Sequence, residues 1–380
     1  MSDPGAAPTT DASPAERSAA RFHDLDALRA FAMLSGIALH AAVPFIPYWH
    51  EGDTGAGFLG GLFLVLHGFR MPLFFILSGF FTTMLWRSRG TRELLRHRMR
   101  RVALPFGLAI LTILPAVGWT LATGLELAGN PAVPAADHPA AWFPVSHLWF
   151  LWFLILMVGG FALVVTGIGR ISWPTRLSMS ASRIGLPLAA AVLVLAAVAA
   201  QSRMTQDLFG PDTSEGLVPI PRVFAVYACC FAWGALIFGR RASGDLPVIR
   251  VMGRWWGLSL LGAAAAFAVG NTLLEPGWRA AVVQVAYAVL ASCGSIGLFG
   301  RFFSGDNPRI RWLSDSSYWL YLAHLPLVFL GQGLAVRWGL PPLAAFVLIF
   351  TTVTALLLIS YRYGVRYTRL GTLLNGPRSR

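Results

Sequence analysis

Asp26–Phe45 reads DALRAFAMLSGIALHAAVPF, and this stretch decides how the chain is interpreted. It is apolar but for Asp26, Arg29, Ser35 and His40. A helix of about 20 residues rises about 30 Å, the thickness of a bilayer's hydrocarbon core. Arg29 and His40 are eleven residues apart, so on such a helix about 16 Å separates them, roughly half of that core. Ionisable groups at these depths cost several kcal/mol and mark pathways or sites. One membrane helix that carries both predicts chemistry within or across the bilayer.

Composition extends that reading to the whole chain. Of 380 residues, 56% are hydrophobic and 12% are charged, about half the ~25% charge of a soluble domain. The prediction is an all-α polytopic integral membrane protein. Ten apolar spans are expected near 27–46, 59–83, 102–124, 147–168, 185–200, 221–238, 255–274, 278–300, 317–335 and 343–361. Residues 1–20, polar and rich in Ala and Pro, predict a disordered N-terminus without the features of a signal peptide. Residues 21–365 are expected to form a single transmembrane domain, followed by a basic tail over 366–380. Cys229, Cys230 and Cys293 lie in apolar spans without metal-ligand spacing, so neither a zinc site nor a disulfide framework is expected.

The net charge of +13 would suit nucleic acid, but the placement of the arginines argues against it. The loops before span one, after spans two, four, six and eight, and after span ten hold 24 arginines, while the alternate loops hold four, Arg203, Arg222, Arg279 and Arg337. The positive-inside rule then puts both termini in the cytoplasm, as expected of a multi-pass protein of the inner (plasma) membrane. The segments 47–58, 125–146 and 202–220 face outward. For most basic loops, setting topology is a sufficient account.

Four spans bring polar groups into the membrane. Span one carries His40 about 20 Å above the cytoplasmic edge and Arg29 near it. Span two, HGFRMPLFFILSGFF from His67, runs inward with His67 and Arg70 at roughly 18 and 13 Å. Span nine, SYWLYLAHLPLVFL from Ser317, places His324 at about 10 Å just before a Pro326 kink. Span four opens with SHLWFLWFL, which sets Ser146, His147 and Trp149 at an outer mouth. Each histidine alone also suits a packing role, hydrogen-bonded to a neighbouring helix, and Arg29 can snorkel to the interface. Arg70, at mid-span, needs a partner, an aqueous cavity or an anionic ligand. Histidine is the side chain suited to exchanging protons near neutral pH.

The loop WRSRGTRELLRHRMRRVALPF, from Trp86, has seven arginines against Glu93 alone. It reads either as an orientation signal with affinity for anionic lipid or as a phosphate clamp, with Arg98 and Arg101 three apart on a helical turn. Gly79 in ILSGFF permits close helix approach.

At these segments the chain resembles the acyltransferase 3 family of membrane acyltransferases, and within it the glucan biosynthesis protein C branch, which succinylates osmoregulated periplasmic glucans. The resemblance rests on Arg-x10-His at Arg29 and His40, HGFRMPLFFILSGFF, Arg-x-x-Arg at Arg98 and Arg101, SHLWFLWFL and SYWLYLAHLPLVF, in family order. Residues 170–310 carry no matching motif. The resemblance implies a cytoplasmic acyl-CoA donor, no cofactor beyond that co-substrate, and an extracytoplasmic hydroxyl acceptor on a glycan. His40 is then the expected catalytic group with Arg29 as its support. His67, Arg70, His147, Trp149 and His324 are expected to bind substrate, and Arg98 with Arg101 to bind CoA. A transporter or flippase with a histidine proton relay would also account for ten helices with buried polar groups. Against it stand the lack of paired structural halves and the phosphate clamp, for which a transporter has no use.

Overall fold

The structure is a computed structural model that describes residues 22–44, 50, 52–129, 145–168, 177–238, 253–272 and 275–376. Residues 1–20, expected to be disordered, and 377–380 of the basic tail lie outside the described residues. Every long element among the described residues is helical. In chain order these are α1 (His23–Ala42), α2 (Ala56–Arg98), α3 (Leu104–Leu127), α4 (Trp149–Ile168), α5 (Leu177–Gln201), α6 (Pro221–Phe238), α7 (Trp256–Thr272), α8 (Trp278–Phe302), α9 (Pro308–Arg337), α10 (Pro342–Ser360) and the short α11 (Arg369–Asn375).

A helix overlaps each of the ten expected spans. Among the described residues, six helical stretches are long and apolar enough to cross a bilayer: His23–Ala42, Ala56–Leu127, Ser146–Gly167, Trp278–Phe302, Pro308–Arg337 and Pro342–Val365. Ala56–Leu127 is a 72-residue run. Gly90 breaks it with φ +78° and ψ 174°, a conformation open chiefly to glycine. A π-helical turn, Met99–Ala103, then joins α2 to α3. Pro187–Gln201 and Pro221–Ile237 are apolar but shorter.

Local chemistry sets the helix ends and crossings. α1 stops at Ala42 because Pro44 forces Val43 into an extended conformation, φ −84° and ψ 123°. The carbonyls freed there are taken by α9: Gln332, fully buried, donates to His40 O at 3.1 Å and to Val43 O at 2.7 Å. α2 and α6 cross with their backbones in contact. A Cβ on Gly79 would overlap Phe231 O, and one on Gly234 would overlap Ile76 O, so this glycine pair provides the close approach expected of Gly79. α9 is the central post, packing on α1, α3 and α10, and its middle carries His324.

Candidate active site

Between α1, α2, α3, α4 and α9 lies a cavity of about 810 Å³. Its wall includes His40, His67, Arg70, His147, Trp149 and His324. Six of the nine residues singled out from sequence therefore meet around one space. Arg29, Arg98 and Arg101 do not line it. The innermost lining residues on α1 are Ala32 and Met33, about one turn from Arg29.

Three of the histidines touch in series. The rings of His40 and His324 lie 5.1 Å apart, and those of His324 and His147 lie 5.3 Å apart at 83°. Backbone carbonyls fix how these rings sit. His324 Nδ1 is 2.8 Å from Tyr321 O, and His147 Nε2 is 3.1 Å from Leu322 O. A carbonyl only accepts, so those nitrogens carry the hydrogens, and His324 Nε2 and His147 Nδ1 keep the lone pairs. Both of these nitrogens are buried without a hydrogen-bond partner among the described residues. Leu322 O is available because Pro326, four residues on, has no N–H to donate to it. His147 is aimed from a short turn, Ser146–Leu148, that starts with Ser146 at φ +46°. That left-handed backbone costs of order 1 kcal/mol for a residue with a Cβ. Tyr321 OH closes the arrangement by donating to His147 O at 2.7 Å.

His67 holds its Nδ1 3.1 Å from Phe209 O. By the same argument its Nε2 is an acceptor. Phe209 belongs to the segment 202–220, which is tied to Val145, α4 and α6. Val145 N donates to Glu215 O at 2.6 Å, Trp152 Nε1 to Leu217 O at 2.8 Å, and Tyr227 OH to Asp212 O at 3.1 Å. Glu215 lines the cavity from this segment, and burial raises its carboxyl above the ordinary range.

Arg70 enters from α2 and lies across α1 at Gly36, where its guanidinium fills the space that a Cβ would need. Its Nε is buried without a hydrogen-bond partner. Its Nη2 donates to the sulfur of Met71 at 3.7 Å. Among the described residues no carboxylate pairs with it. Tyr227 and Tyr321 flank it. A buried cation without a counter-ion, facing a roomy cavity, is suited to an anion or to a carbonyl oxygen that gains charge.

Comparison with known proteins agrees with this architecture. A family model described as an acyltransferase domain, acyltransferase 3, matches residues 22–362. The chain belongs to the acyltransferase 3 family. It is a membrane acyltransferase. Glucans biosynthesis protein C of Salmonella schwarzengrund (strain CVM19633) is 26% identical to it over 382 residues, 94% of this chain and 95% of the relative. The proteins of that name from Salmonella typhi and Salmonella gallinarum (strain 287/91 / NCTC 13346) are 27% and 28% identical over the same shares. No solved structure matches the chain.

The three remaining arginines of the family motifs lie away from the cavity. Arg29 Nη2 is 3.5 Å from Asp26 Oδ1 and 3.3 Å from Ser314 Oγ. Arg98 folds back on α2 and donates to Thr82 Oγ1 at 3.0 Å, with its Nε buried and unpartnered. Arg101 packs instead against Gly376, just beyond α11. The two arginines of Arg-x-x-Arg thus contact different elements, and Arg98 has Arg29 as an electrostatic neighbour.

The sequence reading missed Gly36, Tyr227, Tyr321, Glu215 and the Phe209 carbonyl. Gly36 sits four residues before His40 and so shares its helix face, a spacing visible in advance. The segment 202–220 has no periodicity to expose its role. Trp149, expected at an aromatic mouth, is 5% exposed and packs on Tyr227 and Phe153, with ring centroids 5.2 Å apart in each case. It supports the wall and faces the cavity from within the core.

Proposed function

We propose that this acyltransferase transfers an acyl group, preferably succinyl, from cytoplasmic acyl-CoA to a hydroxyl of an extracytoplasmic glycan, with a periplasmic glucan as the favoured acceptor. The observation that carries the proposal is Arg70, whose guanidinium, with Nε buried, has no carboxylate partner among the described residues and shares a cavity with His40. The relatives named Glucans biosynthesis protein C support the acceptor. The arginine distribution supports an inner-membrane protein with both ends in the cytoplasm.

In this reading the CoA phosphates dock near Arg98, with Arg101 and Arg29 contributing positive charge. The pantetheine arm brings the thioester to His40. The imidazole takes the proton of the acceptor hydroxyl as its oxygen attacks the thioester carbonyl carbon. The C–S bond breaks, and the proton passes to the departing thiolate, so one ester and one thiol are made with no net proton. An acyl-His40 intermediate has the same overall balance. His67, His147 and His324 offer lone pairs, and Glu215 a carboxyl, to the hydroxyls of the acceptor. Arg70 neutralises the free carboxylate of a succinyl group.

The test is donor preference. Arg70→Ala should lower kcat/KM for succinyl-CoA more than for acetyl-CoA, by about ten-fold or more for one charge-assisted hydrogen bond. An equal loss with both donors rejects the assignment of Arg70.

A further inference from the structure

The inner end of α10 carries a second recess, remote in sequence from the residues above. One stripe of α10 faces the protein: Ala345, Ile349, Val353 and Leu357 are buried, and Tyr361 and Val365 continue the stripe. The other face is apolar and outward, with Val347, Leu348, Leu356 and Ile359 exposed. In a membrane protein such a face meets lipid chains. The helix then widens into a π-helical turn, Tyr361–Val365, a form frequent at functional sites. Arg362 and Tyr363, within that turn, and Tyr367, beyond it, are exposed, with Arg366 half-buried between them. With Trp312 from α9 they line an open recess of about 620 Å³.

The lining has a single chemical character. Arg362 lies over the Tyr363 ring at 5.4 Å and Arg366 over the Tyr367 ring at 5.3 Å. Among the described residues, Arg366 Nε is buried without an acceptor, and no acidic residue lines the recess. Two guanidiniums held by neighbouring rings can fork onto one phosphate. The tyrosines and the tryptophan suit the headgroup level of a bilayer. Tyr363 is 77% exposed, so a ligand reaches the recess from outside the helix bundle.

We propose that this recess binds the phosphate of an anionic phospholipid, whose acyl chains lie along Leu356 and Ile359. An adenine nucleotide would also suit arginines and aromatic rings. Only a lipid, however, also uses the apolar stripe that leads into the recess, and the stripe decides between them.

The test uses the full-length protein in nanodiscs of mixed phosphatidylethanolamine and phosphatidylglycerol, with retained lipid counted by native mass spectrometry. Wild type should retain phosphatidylglycerol in preference to phosphatidylethanolamine. Arg362→Gln with Arg366→Gln should lower that retention about ten-fold or more, whereas Arg309→Gln, an exposed arginine on α9, should not. If the double variant does not fold, Arg362→Glu, a charge reversal at an exposed position, replaces it with the same expectation. Unchanged retention in the variant overturns the proposal. So does displacement of the lipid by coenzyme A, which would mark a nucleotide site instead.

Discussion

Pro326 has no N–H, and the carbonyl it leaves free on Leu322 is the one that orients His147. This gives a residue outside the cavity's chemistry a testable effect within it. Pro326→Ala supplies an amide that competes for Leu322 O and releases His147. The expected result is a lower kcat with a melting temperature unchanged or higher, because alanine is about 3 kcal/mol better than proline inside a helix. An unchanged kcat would contradict the role given to the carbonyl. The pair was partly legible in sequence. His324 and Pro326 stand two apart in SYWLYLAHLPLVFL, and a kink was foreseen. That the freed carbonyl would meet a histidine 175 residues earlier in the chain needed the seating of the Ser146–Leu148 turn against α9. Arg70 was legible as a charge in need of a partner, because burial costs the same whatever the neighbours. Its seat at Gly36 was not, since no local signal says which helix faces which.

At the scale of elements, the crossing of α2 and α6 rests on Gly79 and Gly234. The atoms that a methyl group would strike there are backbone, so neither helix can yield by turning a side chain. Gly79→Ala should therefore destabilise the protein by about 1–3 kcal/mol, as overpacking does. Helix propensity alone would favour alanine by about 1 kcal/mol, so the sign of the effect discriminates. Gly60→Ala, on the same helix with open space around it, is the matched control and should be neutral or stabilising. Thermal melts of both variants in detergent decide it, and a higher melting temperature for Gly79→Ala would contradict the crossing. Helix positions were readable because apolar runs of membrane length are long and unambiguous. The break at Gly90 was not, because the arginine-rich run from Trp86 to Arg101 reads as a loop while most of it is helical.

At the scale of the whole molecule, six motif residues enclose one cavity, and Arg98 and Arg101 lie away from it. The segment 202–220, which had no recognisable pattern, supplies Glu215 and the carbonyl that holds His67. Irregular backbone of this kind is fixed by individual hydrogen bonds to distant residues, which leave no period in the sequence. The central claim is that His40 in this cavity transfers an acyl group from a thioester to a hydroxyl. The most direct measurement follows free thiol and ester product together, with purified protein, succinyl-CoA and a glucan acceptor. Wild type should release thiol and form ester in equal amounts, and His40→Ala should do neither while folding normally. Thiol release and ester formation that persist in His40→Ala would contradict the account.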